Sequence, residues 1–225
     1  PIFSLPTKYG IGTLGKEAYK FPDFLAAAGQ SVWQLLPLGP TSYADSPYSS
    51  FSTFAGNPYF IDLEALVEDG LLKRSEIKAV DWGDDPRQID YGKIYETRFK
   101  ILALACERGW ERDAEAVAAF ERENAGWLPD YALFMALKRR FGMKSWLEWP
   151  DEAARMREPE ALDSYRIELA EDIRLFTYVQ FLFFRQWNAL RDYVHSLGID
   201  IVGDLPIYVA TDSADIWAEP QFFQL

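Results

Sequence analysis

Two short apolar segments, each preceded by helical spacing that stops at a glycine, constrain this chain more than any other feature. The first, Ser31-Val32-Trp33-Gln34-Leu35-Leu36-Pro37-Leu38, lies between Gly29 and Gly39-Pro40. Its apolar residues do not alternate with polar ones, so it predicts a strand buried on both faces, as in a parallel sheet. Before it, Phe21, Phe24, Leu25 and Ala28 recur at helical spacing. Gly29 is the residue type that best ends a helix in the left-handed conformation, and Pro22 predicts a helix that starts near Phe21 or kinks there. The second segment, Ile199-Asp200-Ile201-Val202-Gly203-Asp204-Leu205-Pro206, follows a series that starts at Ile167. Leu169, Ile173, Phe176, Val179, Phe183, Trp187, Leu190, Val194 and Leu197 step by three or four residues and stop at Gly198. That spacing predicts one long amphipathic helix, or two in line. Helix, short loop and buried strand is the rhythm of a parallel α/β fold. In an eightfold barrel of that kind the active site gathers at the C-terminal ends of the strands. The loop after Leu38 and the chain from Asp204 onward both lie at such ends.

The chain between them has a different character. From residue 64 to about 165, Glu, Arg, Ala and Leu dominate, with helical periodicity in Tyr95, Phe99, Leu102 and Cys106 and again in Tyr131, Phe134, Met135 and Lys138. Gly83-Asp84-Asp85-Pro86, Asn124-Ala125-Gly126 and Trp149-Pro150-Asp151 punctuate it as turns. Residues 1–15, with Gly10, Gly12 and Gly15, read as a loop. Residues 39–60 are too long for an idle connection, and their aromatics Tyr43, Tyr48, Phe51, Phe54 and Tyr59 argue against disorder.

Composition narrows the function. The 225 residues are 49% hydrophobic and 16% aromatic, which supplies a packed core and excludes global disorder. A net charge of −12, from 23 basic and 35 acidic residues, works against a phosphate backbone or an anionic membrane surface as the main partner. Neither nucleic acid nor membrane is therefore expected as a partner, and neutral ligands remain. The single Cys106 cannot form an internal disulfide, and no apolar run reaches the roughly 18–20 residues of a membrane-spanning helix. A soluble, cytoplasmic protein is the expectation. A first residue Pro1 and a last residue Leu225 with no charged tail suggest cuts through a longer sequence.

Four familiar enzyme plans find no support. Gly10, Gly12 and Gly15 follow no strand, so there is no dinucleotide fingerprint, and no phosphate-binding loop appears. One His and one Cys are too few for a metal cluster of the usual kind. His195 falls late in the predicted long helix, where a cation suits the dipole, and Cys106 reads as a small core residue. What remains is aromatic faces combined with carboxylates. The apolar face of a pyranose packs on an aromatic ring while Asp, Asn, Ser and backbone groups bond its hydroxyls.

Asp45-Ser46-Pro47-Tyr48-Ser49-Ser50 offers that set within six residues. The plainer alternative is a turn in which Asp45 or Ser46 bonds nearby backbone, and spacing alone prefers it. Asn57-Pro58-Tyr59-Phe60-Ile61-Asp62 is similar, with Asn57 and Tyr59 as possible contacts and a turn leading into a short strand as the alternative. Asp204, at the end of a buried strand, is either a structural hydrogen-bonder or part of a site. Asp212 and Asp215, flanking Ser213, are expected to cap the helix that follows.

Three longer segments carry a resemblance. SLPTKYGIGTLG, VWQLLPLGPTSYADSPYSSFSTFAGNPYFIDL and GIDIVGDLPIYVATDSADIWAEPQFF resemble, nearly word for word and in the right order, the amylomaltases or 4-α-glucanotransferases of glycoside hydrolase family 77. The resemblance implies part of a (β/α)₈ barrel of the α-amylase type. It divides the chain into a first barrel segment with the active-site loop (1–63), an inserted helical subdomain (64–165) and a barrel helix, strand and following loop (166–225). It implies transfer of α-1,4-glucan segments between maltooligosaccharides or starch- and glycogen-type glucans, with retention and without a cofactor or metal. By the same likeness Tyr48 stacks on the sugar at the cleavage point, Ser46 bonds nearby hydroxyls, Asp45 holds the loop and Asp204 lies beside that sugar.

Retaining transfer needs two carboxyl groups about 5–5.5 Å apart. In this family the nucleophile lies in an Arg-Ile-Asp-His motif with the acid/base further on. No such motif occurs here, and Asp200 lacks the flanking Arg and His. The expectation is a chain without catalytic carboxylates, the N-terminal portion of a transferase. The alternative is a non-catalytic glucan-binding or structural piece of that enzyme.

Overall fold

A computed structural model describes residues 1–42, 45–85 and 87–224. Tyr43 of the expected aromatic loop, Pro86 of an expected turn and Leu225 lie outside the described residues. The chain forms two compact units: residues 1–38, 56–114 and 181–205, and residues 39–55, 115–180 and 206–225. Residues 64–114 fall in the first of these units and 115–165 in the second.

The first unit contains a parallel pair of strands, β1 (Val32–Gln34) and β2 (Asp200–Val202), with Trp33 opposite Ile201. The Leu35 amide continues the ladder to the Val202 carbonyl at 2.9 Å. Both strands are shorter than the apolar segments that carry them. Trp33 and Leu35 are buried, whereas Val32 and Val202 are each nearly half exposed. Successive side chains in a strand point to opposite faces, so an apolar run reports only that each face tolerates apolar groups. Here Trp33 packs against Phe21, with ring centroids 5.1 Å apart.

Helix α1 (Lys16–Ala27) begins well before Phe21 and carries a buried Pro22 inside it, so the expected start at Phe21 is also corrected. Gly29 after α1 and Gly198 before β2 both take left-handed backbone, φ 69° and 74°, as their stop role requires. Helices α2 (Leu63–Glu68), α3 (Arg74–Lys78) and α4 (Tyr91–Gly109) complete the central part of this unit. In α4 the buried stripe includes Ile94, Arg98, Ile101, Leu102, Ala105 and Cys106. Tyr95 is more than half exposed, because the stripe starts one residue earlier than the aromatic spacing suggested. Arg98 is fully buried under the Trp82 ring, 5.2 Å from its centroid. Loss of hydration pulls its guanidinium down to about 10, which leaves it charged at neutral pH.

The second unit is built on α5 (Ala114–Glu123), α6 (Leu128–Arg140), α7 (Glu152–Arg155) and α8 (Pro159–Glu168), with α10 (Ala214–Ala218) packed on α6. Its core is aromatic. The rings of Phe134, Trp149 and Trp217 meet pairwise with centroids 5.7–5.8 Å apart. The Trp217 indole donates to the Ala154 carbonyl at 3.1 Å, which satisfies its buried N–H.

The long helical pattern is one continuous helix, α9 (Ala170–Ser196), of 27 residues. It starts after Ile167, which instead lies in α8 and is 81% exposed. Residues up to Gln180 belong to the second unit and those from Phe181 to the first. His195 is exposed in its last turn, and Cys106 is buried in α4. No helix is long and apolar enough to cross a membrane among the described residues.

Candidate functional site

The loop after β1 is a small hairpin. Thr41 and Ser50 form an antiparallel bridge, and the Ser42 amide donates to the Ser49 carbonyl at 2.9 Å. The Ser42 and Ser49 hydroxyls meet at 2.6 Å, so side chains as well as backbone tie the two arms. Asp45 sits in the turn with a left-handed φ of 53°, a conformation that Asp tolerates better than most residues. Its amide donates to the Ser42 carbonyl at 3.2 Å, and burial raises the pKa of its carboxyl above the usual carboxylate value. The Ser46 hydroxyl accepts from the Tyr48 amide at 3.3 Å. That hydroxyl therefore shapes the turn and projects Tyr48, which is 47% exposed.

The base of this hairpin is fastened within the second unit. The Phe51 carbonyl accepts from the Ala214 amide at 2.8 Å. Thr53 donates its amide and its hydroxyl to the two oxygens of Asp215, at 3.0 and 2.8 Å. Lys138 in α6 places its ammonium 4.9 Å from the Phe51 ring centroid, donates to the Lys144 carbonyl at 2.9 Å and pairs with Asp212. Loss of hydration lowers the Lys138 pKa, while the Asp212 carboxylate opposes that shift. Asp212 also accepts from the Trp146 amide at 3.1 Å.

The expected caps are thereby corrected. Ser213, not Asp212 or Asp215, caps α10 through its hydroxyl to the Ile216 amide. The two carboxylates are engaged elsewhere, because each finds donors on a neighbouring element that hold it away from the helix start. The signal for Lys138 was present in the sequence as a lysine on an otherwise apolar helical stripe. Nothing in the sequence named its partner.

Asn57 and Tyr59 lie in the first unit and are 2% and 7% exposed. The Asn57 side chain accepts from the Tyr59 amide at 2.9 Å and starts a 3₁₀ turn over Pro58–Phe60. The expected strand from Tyr59 is absent from that stretch, because Asp62 turns the chain into α2 by capping the Ala65 amide at 2.8 Å. Asp62 is a centre of its own. It also accepts from the Thr13 hydroxyl at 2.6 Å, while its backbone exchanges two hydrogen bonds with the Gln186 amide group. Asp204 lies two residues beyond β2, half-buried in irregular chain, followed by the exposed Leu205, Ile207 and Tyr208.

These features describe an α/β chain with a short parallel strand pair and aromatic and carboxylate side chains on the loops that follow the strands. Its fold matches that of amylomaltases. Against the amylomaltase from Streptococcus agalactiae in complex with acarbose, the TM-score is 0.97 at 42% identity, over 100% of this chain and 46% of that one. Against the amylomaltase from Corynebacterium glutamicum it is 0.68 at 18% identity, a likeness of fold alone, over 97% of this chain and 31% of that one.

Residues 1–225 match the family model of glycoside hydrolase family 77, 4-alpha-glucanotransferase, and the chain belongs to that family. The 4-alpha-glucanotransferase of Clostridium butyricum is 48% identical over 224 residues, 100% of this chain and 46% of that protein. That of Thermus thermophilus is 48% identical over 226 residues, 99% of this chain and 44% of that protein. The chain spans less than half the length of these relatives.

Proposed function

We propose that this chain is the N-terminal portion of a 4-α-glucanotransferase that moves α-1,4-glucan segments from a donor maltooligosaccharide to the 4-hydroxyl of an acceptor glucan, with retention. The observation that carries the reading is the match of the whole chain, in sequence and in fold, to amylomaltases, one of them holding acarbose. Its substrates are maltooligosaccharides and starch- or glycogen-type glucans, handled in the cytoplasm without a cofactor. The nucleophile and acid/base of a retaining mechanism, two carboxyl groups about 5–5.5 Å apart, are contributed by residues outside this sequence.

Within a (β/α)₈ barrel of the amylase type, residues 1–63 and 166–225 supply barrel strands and loops, and 64–165 the insertion. Support comes from β1 and β2, which pair directly in parallel although α2 to α9 all lie between them in sequence. Tyr48 is the stacking platform for a glucose unit, Ser46 bonds its hydroxyls, and Asp45 holds the turn. Asp204 contributes a carboxylate to a sugar hydroxyl. Asn57 and Tyr59 act from within, by fixing the turn that leads to Asp62.

The absence of an Arg-Ile-Asp-His motif favours a second statement about the 225 residues alone: they bind glucan without turning it over. The test is to incubate maltotriose with the whole protein that contains this chain and, in parallel, with the 225 residues. The whole protein should yield glucose together with maltopentaose and longer glucans, with no net gain in reducing ends. Net hydrolysis, or no products from the whole protein, would overturn the transferase reading. A ladder from the 225 residues alone would show that the catalytic carboxylates lie within them.

A further inference from the structure

The second unit contains a pocket of about 290 Å³ that none of the expected site residues enters. Phe54, Trp127, Tyr131 and Phe222 supply its aromatic walls. Phe54 and Trp127 lie nearly parallel, with centroids 6.2 Å apart and planes at 17°, and Trp127 is tilted against Tyr131 at 6.0 Å. Three carboxylates, Asp130, Asp215 and Glu219, share the lining.

Those carboxylates are not equivalent. Asp215 spends both oxygens on Thr53. Asp130 gives Oδ1 to Arg157 at 2.7 Å, and Glu219 gives Oε2 to Gln221. Asp130 Oδ2 and Glu219 Oε1 take no hydrogen bond among the described residues. The pocket therefore offers flat apolar faces beside two unengaged anionic acceptors.

That combination selects a ligand by its chemistry. An anion is repelled by three carboxylates. A plain hydrocarbon leaves the two acceptors without donors. A pyranose ring presents an apolar face to an aromatic surface and hydroxyl donors around its rim, which satisfies both. The volume lies at the small end of ligand pockets, room for a ring or two and not for a long glucan within it.

We propose that this pocket is a second sugar-binding site, separate from the Tyr48 platform, in which Phe54 and Trp127 hold a terminal glucose unit and Asp130 and Glu219 accept its hydroxyls. The proposal rests on the glucan-handling reading above. It adds a place where a glucan chain is held away from the position of cleavage.

The test uses 5-fluorotryptophan spectra of the whole protein that contains this chain, titrated with maltose, with the Trp127 resonance assigned by its loss in Trp127→Phe. The resonance should shift saturably with maltose. Phe54→Ala should weaken that response at least tenfold while the far-UV circular dichroism stays that of the parent, and Tyr48→Ala should leave the response in place. A silent Trp127, a response indifferent to Phe54→Ala, or one abolished by Tyr48→Ala would overturn the separate site. An equal response to tetramethylammonium chloride would make the pocket a cation site and overturn it too. A silent Trp127 beside an intact product ladder from the whole protein removes only the pocket. Loss of the ladder removes the function it serves.

Discussion

Lys138 and Asp212 form an ion pair in which the lysine side chain has no exposure to solvent and the aspartate retains 31%. The pair joins α6 to the segment that runs on toward α10, and the ammonium lies beneath the Phe51 ring at the base of the Tyr48 hairpin. A charge so buried is tolerated only while its partner is present, so the pair ties the hairpin's footing to the core of the second unit.

Removing the aspartate should cost more than removing the lysine. Asp212→Ala leaves an uncompensated buried ammonium, with an expected loss of about 3 kcal/mol, the low end for a broken buried pair because Asp212 is partly hydrated. Lys138→Met leaves a carboxylate that water can reach, with an expected loss of about 1 kcal/mol. Urea denaturation of the two variants checks the order, and equal losses would contradict it.

Tyr48→Ala should separate activity from stability. The ring is 47% exposed, so unfolding free energy should change by less than about 0.5 kcal/mol. In the whole transferase the loss of a stacking contact worth about 1.5 kcal/mol should slow transfer roughly tenfold. An unchanged maltotriose product ladder would refute the stacking role.

Gly56→Ala tests packing in the first unit. A Cβ at Gly56 would fall 1.9 Å from Cδ1 of Phe183, a ring only 2% exposed. Neither atom can yield without displacing the core, so a loss of at least about 2 kcal/mol is expected. A thermal midpoint within a degree of the parent chain would show that the Phe183 ring has room to move.

The acid limb of stability should depend on Glu76. The Arg108 guanidinium, bonded at 2.6 and 2.8 Å, holds this carboxyl down at about 2 from an ordinary 4.5, with help from the Lys73 amide. A depressed carboxyl stabilises the fold fully above the unfolded value, and that contribution is lost as pH falls from about 4.5 through about 2. Glu76→Gln should flatten stability over that window and leave its slope above pH 6 unchanged. An unaltered acid limb would show that the pair contributes nothing.

Local chemistry made much of this chain legible in its sequence. Helical spacing and glycine stops located α1, α9 and the approaches to both strands, because periodicity and the left-handed preference of glycine act over a few residues. The Tyr48 turn was legible for the same reason: Asp, Ser and Pro bend the backbone with their own atoms. Only the tertiary structure decided which faces are covered. It turned Asn57 and Tyr59 inward, and gave Asp212 and Asp215 to Lys138 and Thr53 instead of to the helix cap. Each of those outcomes depends on partners many residues away in sequence, and burial or pairing between such residues exists only once the chain has folded to bring them together.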